Sequence, residues 1–277
     1  MSTVSGRFGG EVAEFYARFR HGYPEEIIDR LQQSFDLGER DTVLDLGCGT
    51  GLLTRPLAAR AGGVIGMDPE PDMLHLGRQA ALREGIGNIA WVLGGDGDLP
   101  ALGTALGAGP GGRTALSLVT VGQALHLMDQ ERLLRALPPL LRPGGGIAVV
   151  TNGTPLWLLD TPWSRALRDA LTEYLGQRPT RTCGAGVADR SRYAAALEAA
   201  GYTGIRELVH DYPYRLSFEQ LVGGVYSAIP TPDLPAAGDR PAFAERLRRA
   251  VGPGDAFAAE LRSTALIARA PVAAGQG

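Results

Sequence analysis

Two acids flank a glycine turn. Asp45 lies in the apolar run Val43-Leu44-Asp45-Leu46, the turn Gly47-Cys48-Gly49-Thr50-Gly51 follows, and Asp68 closes the next apolar run, Val64-Ile65-Gly66-Met67-Asp68. Glycines that end a strand just before a helix bring backbone N–H groups close to a ligand. An acid at the end of the adjoining strand can accept both hydroxyls of a ribose. The arrangement predicts a nucleotide-containing cofactor at the C-terminal edge of a sheet. A phosphate-binding loop is excluded, because its G-x-x-x-x-G-K-[ST] pattern needs a lysine and all 27 basic residues of this chain are arginine. A dinucleotide fingerprint fits incompletely: counted from Gly47 and Gly49, its third glycine position holds Leu52.

The elements that must position these residues alternate along the chain. Apolar runs at 42–46, 64–68, 89–93, 115–121 and 147–150 read as strands, followed by two more near 204–211 and 263–269. Helical patterns occupy 8–20, 24–37, 52–60, 70–84, 129–141, 162–175 and 190–200, while the Gly-rich stretch 94–113 reads as a loop or frayed helix. Such alternation implies right-handed crossovers and an α/β fold with a doubly wound, parallel sheet. The stretches 153–188 and 212–258 are too long for ordinary connections and predict a cap over the C-terminal edge. We expect an N-terminal helical lid at 1–40, a cofactor-binding core at 41–152, and the rest of the core with cap insertions at 153–277.

Composition narrows the classes of function. At 277 residues the chain can bury one large core without disulfides or metals. A net charge of −3 supplies no basic footprint for nucleic acid. Cys48 and Cys183 are too few for a multi-cysteine metal motif, and His21, His75, His126 and His210 show no ligand spacing, so no metal is expected. No apolar run approaches the roughly 18 residues of a membrane span, and no signal-like region opens the sequence. The expectation is a soluble, cytoplasmic protein that contacts neither membrane nor nucleic acid. Oligomeric state leaves no mark in the sequence.

The pattern G-x-G-x-G with an acid on the second strand resembles the class I S-adenosylmethionine-dependent methyltransferases, and four further segments match in order. Asp68-Pro69-Glu70-Pro71-Asp72-Met73-Leu74 is similar to their second motif, which implies that Asp68 and Pro69 hold the ribose and Met73 flanks the adenine. Gly95-Asp96-Gly97-Asp98-Leu99-Pro100 resembles the segment whose acid, here Asp96 beside Gly97, holds the adenine amino group. Val121 to Asp129 takes the position facing the methyl group, and Leu141-Arg142-Pro143-Gly144-Gly145-Gly146 the turn into the fifth strand. The resemblance implies a mostly parallel seven-stranded Rossmann-like sheet with an antiparallel last strand, with S-adenosyl-L-methionine as cofactor and S-adenosyl-L-homocysteine as product. Residues Phe15 to Pro24 further resemble a lid segment of the trans-aconitate methyltransferase-like branch, which implies that Tyr16 and Arg20 approach the methionine moiety. Two departures stand out. His21 replaces a proline of that segment, and Leu127 replaces a tryptophan after His126.

For the chemical step, a sulfonium is already a good leaving group, so in-line positioning of the acceptor does most of the work. His126 is the candidate base, with a buried structural histidine as the competing reading. Tyr23, Gln123 and Trp157 are candidate acceptor contacts. No [DNS]-P-P-[YFW] segment, Pro-Cys nucleophile or paired-glutamate loop is visible, which favours a small organic acceptor, as in specialised metabolism, over a macromolecule. A different class remains open: a protein of this fold that binds the cofactor yet cyclises or isomerises a small molecule without methyl transfer.

Overall fold

The computed structural model describes residues 8–107 and 116–271. Seven strands form one sheet in the order β3-β2-β1-β4-β5-β7-β6, where β1 is Thr42–Leu46, β2 Gly63–Asp68, β3 Ile89–Leu93, β4 Leu116–Gly122, β5 Leu141–Asn152, β6 Thr203–Ser217 and β7 Ala256–Arg269. The first five run parallel, and β7 is antiparallel to both β5 and β6. Val- and Leu-rich runs such as β4 are buried on both faces, as a sheet covered by helices on either side requires. Alternate side chains serve opposite layers. Leu44, Leu46, Val119 and Val121 pack with Leu99, Leu133, Leu134 and Leu197, whereas Val43, Leu118 and Ala148 pack with Ile27, Ile28, Leu31 and Phe35.

This second layer revises the expected lid. The helix α2 (Glu25–Phe35) buries Ile27, Ile28, Leu31 and Phe35 beneath the sheet and belongs to the core. Of the described N-terminal helices, α1 (Glu11–Phe19) is the one that reaches the glycine turn, where Tyr16 lines a cavity with Gly47 and Gly49. The helix after the glycine turn, α3 (Thr54–Ala58), is shorter than its pattern suggests, and α4 (Pro71–Arg83) follows β2 closely as expected. Within 94–113 a short turn at Asp96–Asp98 leads into α5 (Leu99–Ala105); residues 108–113, like Ala115 of the expected fourth strand, lie outside the described residues. The helix expected at 129–141 is α6 (Gln130–Ala136), which gives way to a 3-10 turn at Pro138–Leu140 because successive prolines supply no N–H donors.

The cap adds one element to the expectation. Strands β6 and β7 continue pairing from Asp211↔Arg262 to Ser217↔Ala256, so the two ends of 212–258 form a β-ribbon while its middle is helical. Against it pack α7 (Pro162–Leu175), α9 (Phe218–Tyr226) and α10 (Arg240–Val251). Leu167, Leu171, Leu216, Leu221, Phe243 and Phe257 form a core of their own there. The remaining helix, α8 (Val187–Ala199), returns to the main sheet through Tyr193 and Leu197. Among the described residues no helix is long and apolar enough to cross a membrane, and no group of three or more His, Cys, Asp or Glu could hold a metal ion.

Candidate functional site

The glycine turn is built so that little but glycine fits. Gly47, Gly49 and Gly51 have φ of 71°, 54° and 76°, the left-handed region that penalises a side chain. A Cβ on Gly47 would stand 2.6 Å from Cβ of Ala124, and one on Gly51 would stand 2.5 Å from Cη2 of Trp91. The Gly47 and Cys48 amides donate to the Met67 carbonyl at 2.8 and 3.1 Å, which ties the turn to the end of β2. There Asp68 accepts the Gly49 amide on Oδ2 at 2.8 Å and the Glu70 amide on Oδ1 at 2.9 Å. Burial raises the Asp68 pKa, and the two backbone donors oppose that rise. Each oxygen keeps a further lone pair beside the cavity that this residue lines.

Beneath the turn, Asp45 accepts the hydroxyls of Thr54 at 2.6 Å and Thr120 at 2.7 Å. Desolvation lifts its pKa to about 6 against the pull of both bonds. It braces α3 and β4 against β1 and does not line the cavity.

Tyr16 and Arg20 form the roof of the cavity. The Arg20 guanidinium lies 5.2 Å from the Tyr16 ring centre, and its Nε donates to Ser227 Oγ at 3.0 Å, joining the end of α1 to the end of α9. At its other end α1 is moored by the Gly10 amide, which donates to Asp72 Oδ2 at 2.7 Å. One wall follows β4. Gln123 takes a left-handed φ of 51°, its amide donates to the Val150 carbonyl at 2.9 Å, and its side chain reaches the Gly153 carbonyl at 3.4 Å. His126 and Leu127 continue that wall. Burial lowers the His126 pKa, with Asp189 raising it and Arg192 lowering it by smaller amounts.

The cavity brings together many of the residues the sequence singles out: Tyr16, Arg20, Gly47, Gly49 and Asp68, then Pro69, Met73, Asp96, Gln123 and His126. Cys48, Thr50, Gly51, Gly97 and Val121 do not line it. Cys48, Thr50 and Val121 are buried around the turn, and the Thr50 hydroxyl has no hydrogen-bond partner. Two expected acceptor contacts lie elsewhere. Trp157 is 3% exposed within the cap core, because the apolar faces of α7 and α9 enclose it. Tyr23 lines a separate depression with His21, Tyr212 and Tyr214, although its hydroxyl abuts the backbone of Gly122. Sequence reasoning missed Phe8, Glu70, Met128 and Cys183 as lining residues. Cys183 arrives on the loop before α8 and carries a left-handed φ of 52°, an approach that no local pattern announces.

Residues 43–145 match the family model of a methyltransferase domain. The chain is 34% identical over 149 residues to an uncharacterized methyltransferase of Mycobacterium tuberculosis, a match covering 54% of this chain and 53% of that protein. It thus spans about half the length of such curated relatives. A shorter match, 39% identical over 67 residues, covers 24% of this chain and 16% of the 23S rRNA (uracil(1939)-C(5))-methyltransferase of Salmonella typhimurium. In fold the chain is similar to a candidate type II methyltransferase from Anaeromyxobacter dehalogenans, with a TM-score of 0.57, 23% identity, and coverage of 91% of this chain and 97% of that one. The strand order with its antiparallel β7, the glycine turn against Asp68 and these likenesses agree: residues 43–145 match a methyltransferase domain, and the chain shares the fold of a methyltransferase structure.

Proposed function

We propose that the protein transfers a methyl group from S-adenosylmethionine to a small organic acceptor. The observation that carries this reading is the placement of Asp68, whose carboxylate is fixed by the Gly49 and Glu70 amides and lines a cavity roofed by Tyr16 and Arg20. The lining suits that cofactor. Asp68, Glu70 and Asp96 are acids around the cavity, and Arg20 is its arginine. A ligand combining a sulfonium and an ammonium with one carboxylate matches this balance of charge, while a pyrophosphate would face the acids unfavourably. Glycine at 47 and 49 leaves room where any side chain would intrude.

When bound, S-adenosylmethionine supplies an electrophilic methyl on a sulfonium leaving group. Asp68 would hold the ribose hydroxyls, Met73 and Asp96 the adenine, and Arg20 with Tyr16 the amino-acid end. The β4 wall at Gln123, His126 and Leu127 would present the acceptor, and the roof formed by α1 would exclude water. Positioning of this kind is worth effective molarities on the order of 10⁵–10⁸ M. Because burial favours its neutral form, His126 holds a free lone pair at neutral pH and would take a proton from an acceptor hydroxyl or amine. The net charge of −3 and a cavity closed over by α1 and the Cys183 loop support a small acceptor rather than a polymer.

Calorimetry with S-adenosylhomocysteine tests the cofactor, and transfer of a labelled methyl group to a panel of small hydroxyl, amine and carbon acids tests the reaction. Absence of binding by both cofactor forms overturns the reading. Cofactor binding together with donor-independent turnover of a small molecule overturns the methyl-transfer part of it.

A further inference from the structure

Two buried polar atoms face one glycine. Nδ1 of His126 and the hydroxyl of Tyr193 are both enclosed and both lack a hydrogen-bond partner. Leaving such groups unpaired costs about 1–3 kcal/mol each, so a pair of them at one place is a specific feature. Both converge on the same glycine: a Cβ built on Gly184 would stand 2.6 Å from the Tyr193 oxygen and 2.9 Å from Nδ1 of His126. Nothing but the missing side chain of Gly184 holds the space beside them open. Cys183 and Gly184 adopt left-handed φ values of 52° and 74° in succession, so this turn is shaped to bring bare backbone there.

The two residues come from different parts of the fold. His126 follows β4 on the cavity wall, and Tyr193 lies on α8, 2% exposed and packed into the main core. The charged groups facing the pair come from α8: Asp189 and Arg192, the latter with its guanidinium 5.5 Å from the Tyr193 ring centre. Asp189 is engaged by the Thr182 hydroxyl, the Gly186 amide and Arg192, so it is not the partner of Nδ1. On the loop side stands Cys183, whose thiol burial keeps protonated.

We propose that Tyr193 is the positioning residue of His126: its oxygen accepts the Nδ1–H across the gap left by Gly184, so that Nε2 carries the lone pair available to the cavity. The proposal rests on the reading of His126 as the base that meets the acceptor. A neutral imidazole carries one proton, and its position decides which nitrogen can act as a base. With the proton on Nδ1 and donated to Tyr193, Nε2 accepts the acceptor's proton. The resulting imidazolium keeps the same bond. This is the logic of a base oriented by a third group, with a phenol in the orienting place.

The test is nitrogen NMR of the histidine side chains in the whole protein, with and without S-adenosylhomocysteine. In the unaltered protein His126 is expected as the Nδ1-protonated tautomer. In Tyr193→Phe, which removes the phenol oxygen and keeps the ring beneath Arg192, the tautomers should become mixed. The His126 pKa should fall by about one unit there, a tenfold change in the protonation constant. Gly184→Ala, which inserts a methyl between the two atoms, should produce the same spectral change. S-adenosylhomocysteine affinity should stay within about twofold in Tyr193→Phe. Predominantly Nε2-protonated His126 in the unaltered protein overturns the proposal, as does an unchanged tautomer and pKa in Tyr193→Phe. Failure of the unaltered protein to bind S-adenosylhomocysteine would instead overturn the cofactor reading, with the tautomer result still deciding the pairing.

Discussion

Phe19 rests on the bare backbone of Gly223: a Cβ built on that glycine would stand 2.2 Å from Cγ and Cδ2 of the Phe19 ring. The contact fastens α1 to α9, and Phe15 against Tyr226, with ring centres 4.9 Å apart, extends it. The ion pair between Arg18 and Glu219 runs alongside, but both side chains are more than two-thirds exposed. Exposed pairs contribute about 0–1 kcal/mol. The apolar seat and the Arg20–Ser227 bond therefore hold the roof.

Gly223→Ala should displace Phe19 and loosen α1 over the cavity. The expected outcome is S-adenosylhomocysteine affinity lowered about tenfold, or about 1.4 kcal/mol, with the main sheet intact. Arg18→Ala should leave affinity unchanged. Calorimetry on both variants, with circular dichroism as the fold control, checks the contrast; equal behaviour of the two would contradict it.

Asp68→Asn should weaken cofactor binding by at least about tenfold, since charge-assisted hydrogen bonds are worth about 1.5–3 kcal/mol each. The amide has one acceptor oxygen for two backbone donors, so either the Gly49 or the Glu70 amide also loses its partner. A single-site loss of affinity, measured by titration, separates this from general unfolding.

His21 should make the protein acid-labile within a defined window. Its Nε2 is buried without a partner, its ring lies 4.6 Å from that of Tyr214, and burial followed by the Arg20 charge lowers its pKa from 6.5 to about 4. Between these values the unfolded chain binds a proton that the folded chain refuses. The stability present above pH 6.5 is therefore lost progressively as pH falls toward 4. His21→Phe keeps a ring against Tyr214 and removes this term. Urea unfolding at pH 7 and pH 4.5 should show the unaltered protein losing on the order of 2 kcal/mol more than the variant.

Gly77→Ala should destabilise the cofactor turn from behind. A Cβ there would stand 2.8 Å from two ring carbons of Trp91 and 3.1 Å from the Thr50 backbone carbon. The same indole fills the space above Gly51 and Gly66, so it cannot retreat freely. Overpacking of this kind costs about 1–3 kcal/mol. A lowered denaturation midpoint together with weaker S-adenosylhomocysteine binding is the expected result, and an unaffected midpoint would contradict it.

The central part of this architecture was legible in the sequence because its signals are local. Val43-Leu44-Asp45-Leu46 is apolar enough to be a buried strand, and the three glycines that follow each sit at a positive φ. The β-ribbon of the cap was not legible for the opposite reason. Tyr212-Pro213-Tyr214-Arg215-Leu216 becomes strand only by pairing with residues some 40–50 positions onward, such as Leu261 and Phe257, and Pro213 disguises the run. The role of α2 was hidden because an amphipathic helix reads the same whether it closes a lid or covers a sheet. Trp157 misled through its size: large aromatics suit a ligand pocket and a cap core equally well, and neighbours distant in the chain decide between them. Cys183 reaches the cavity by tertiary approach alone.

The docking of α1 on α9 also has a consequence for the order of assembly. The roof is contributed by residues 11–20, whereas its support comes from 218–227, so the two halves of the enclosure are about two hundred residues apart in the chain. A nascent polypeptide that has completed β1 to β5 already owns the glycine turn and Asp68, yet nothing is in place for Phe19 and Arg20 to grip. Synthesis of α9 is therefore the event that converts an open ledge into a roofed cavity.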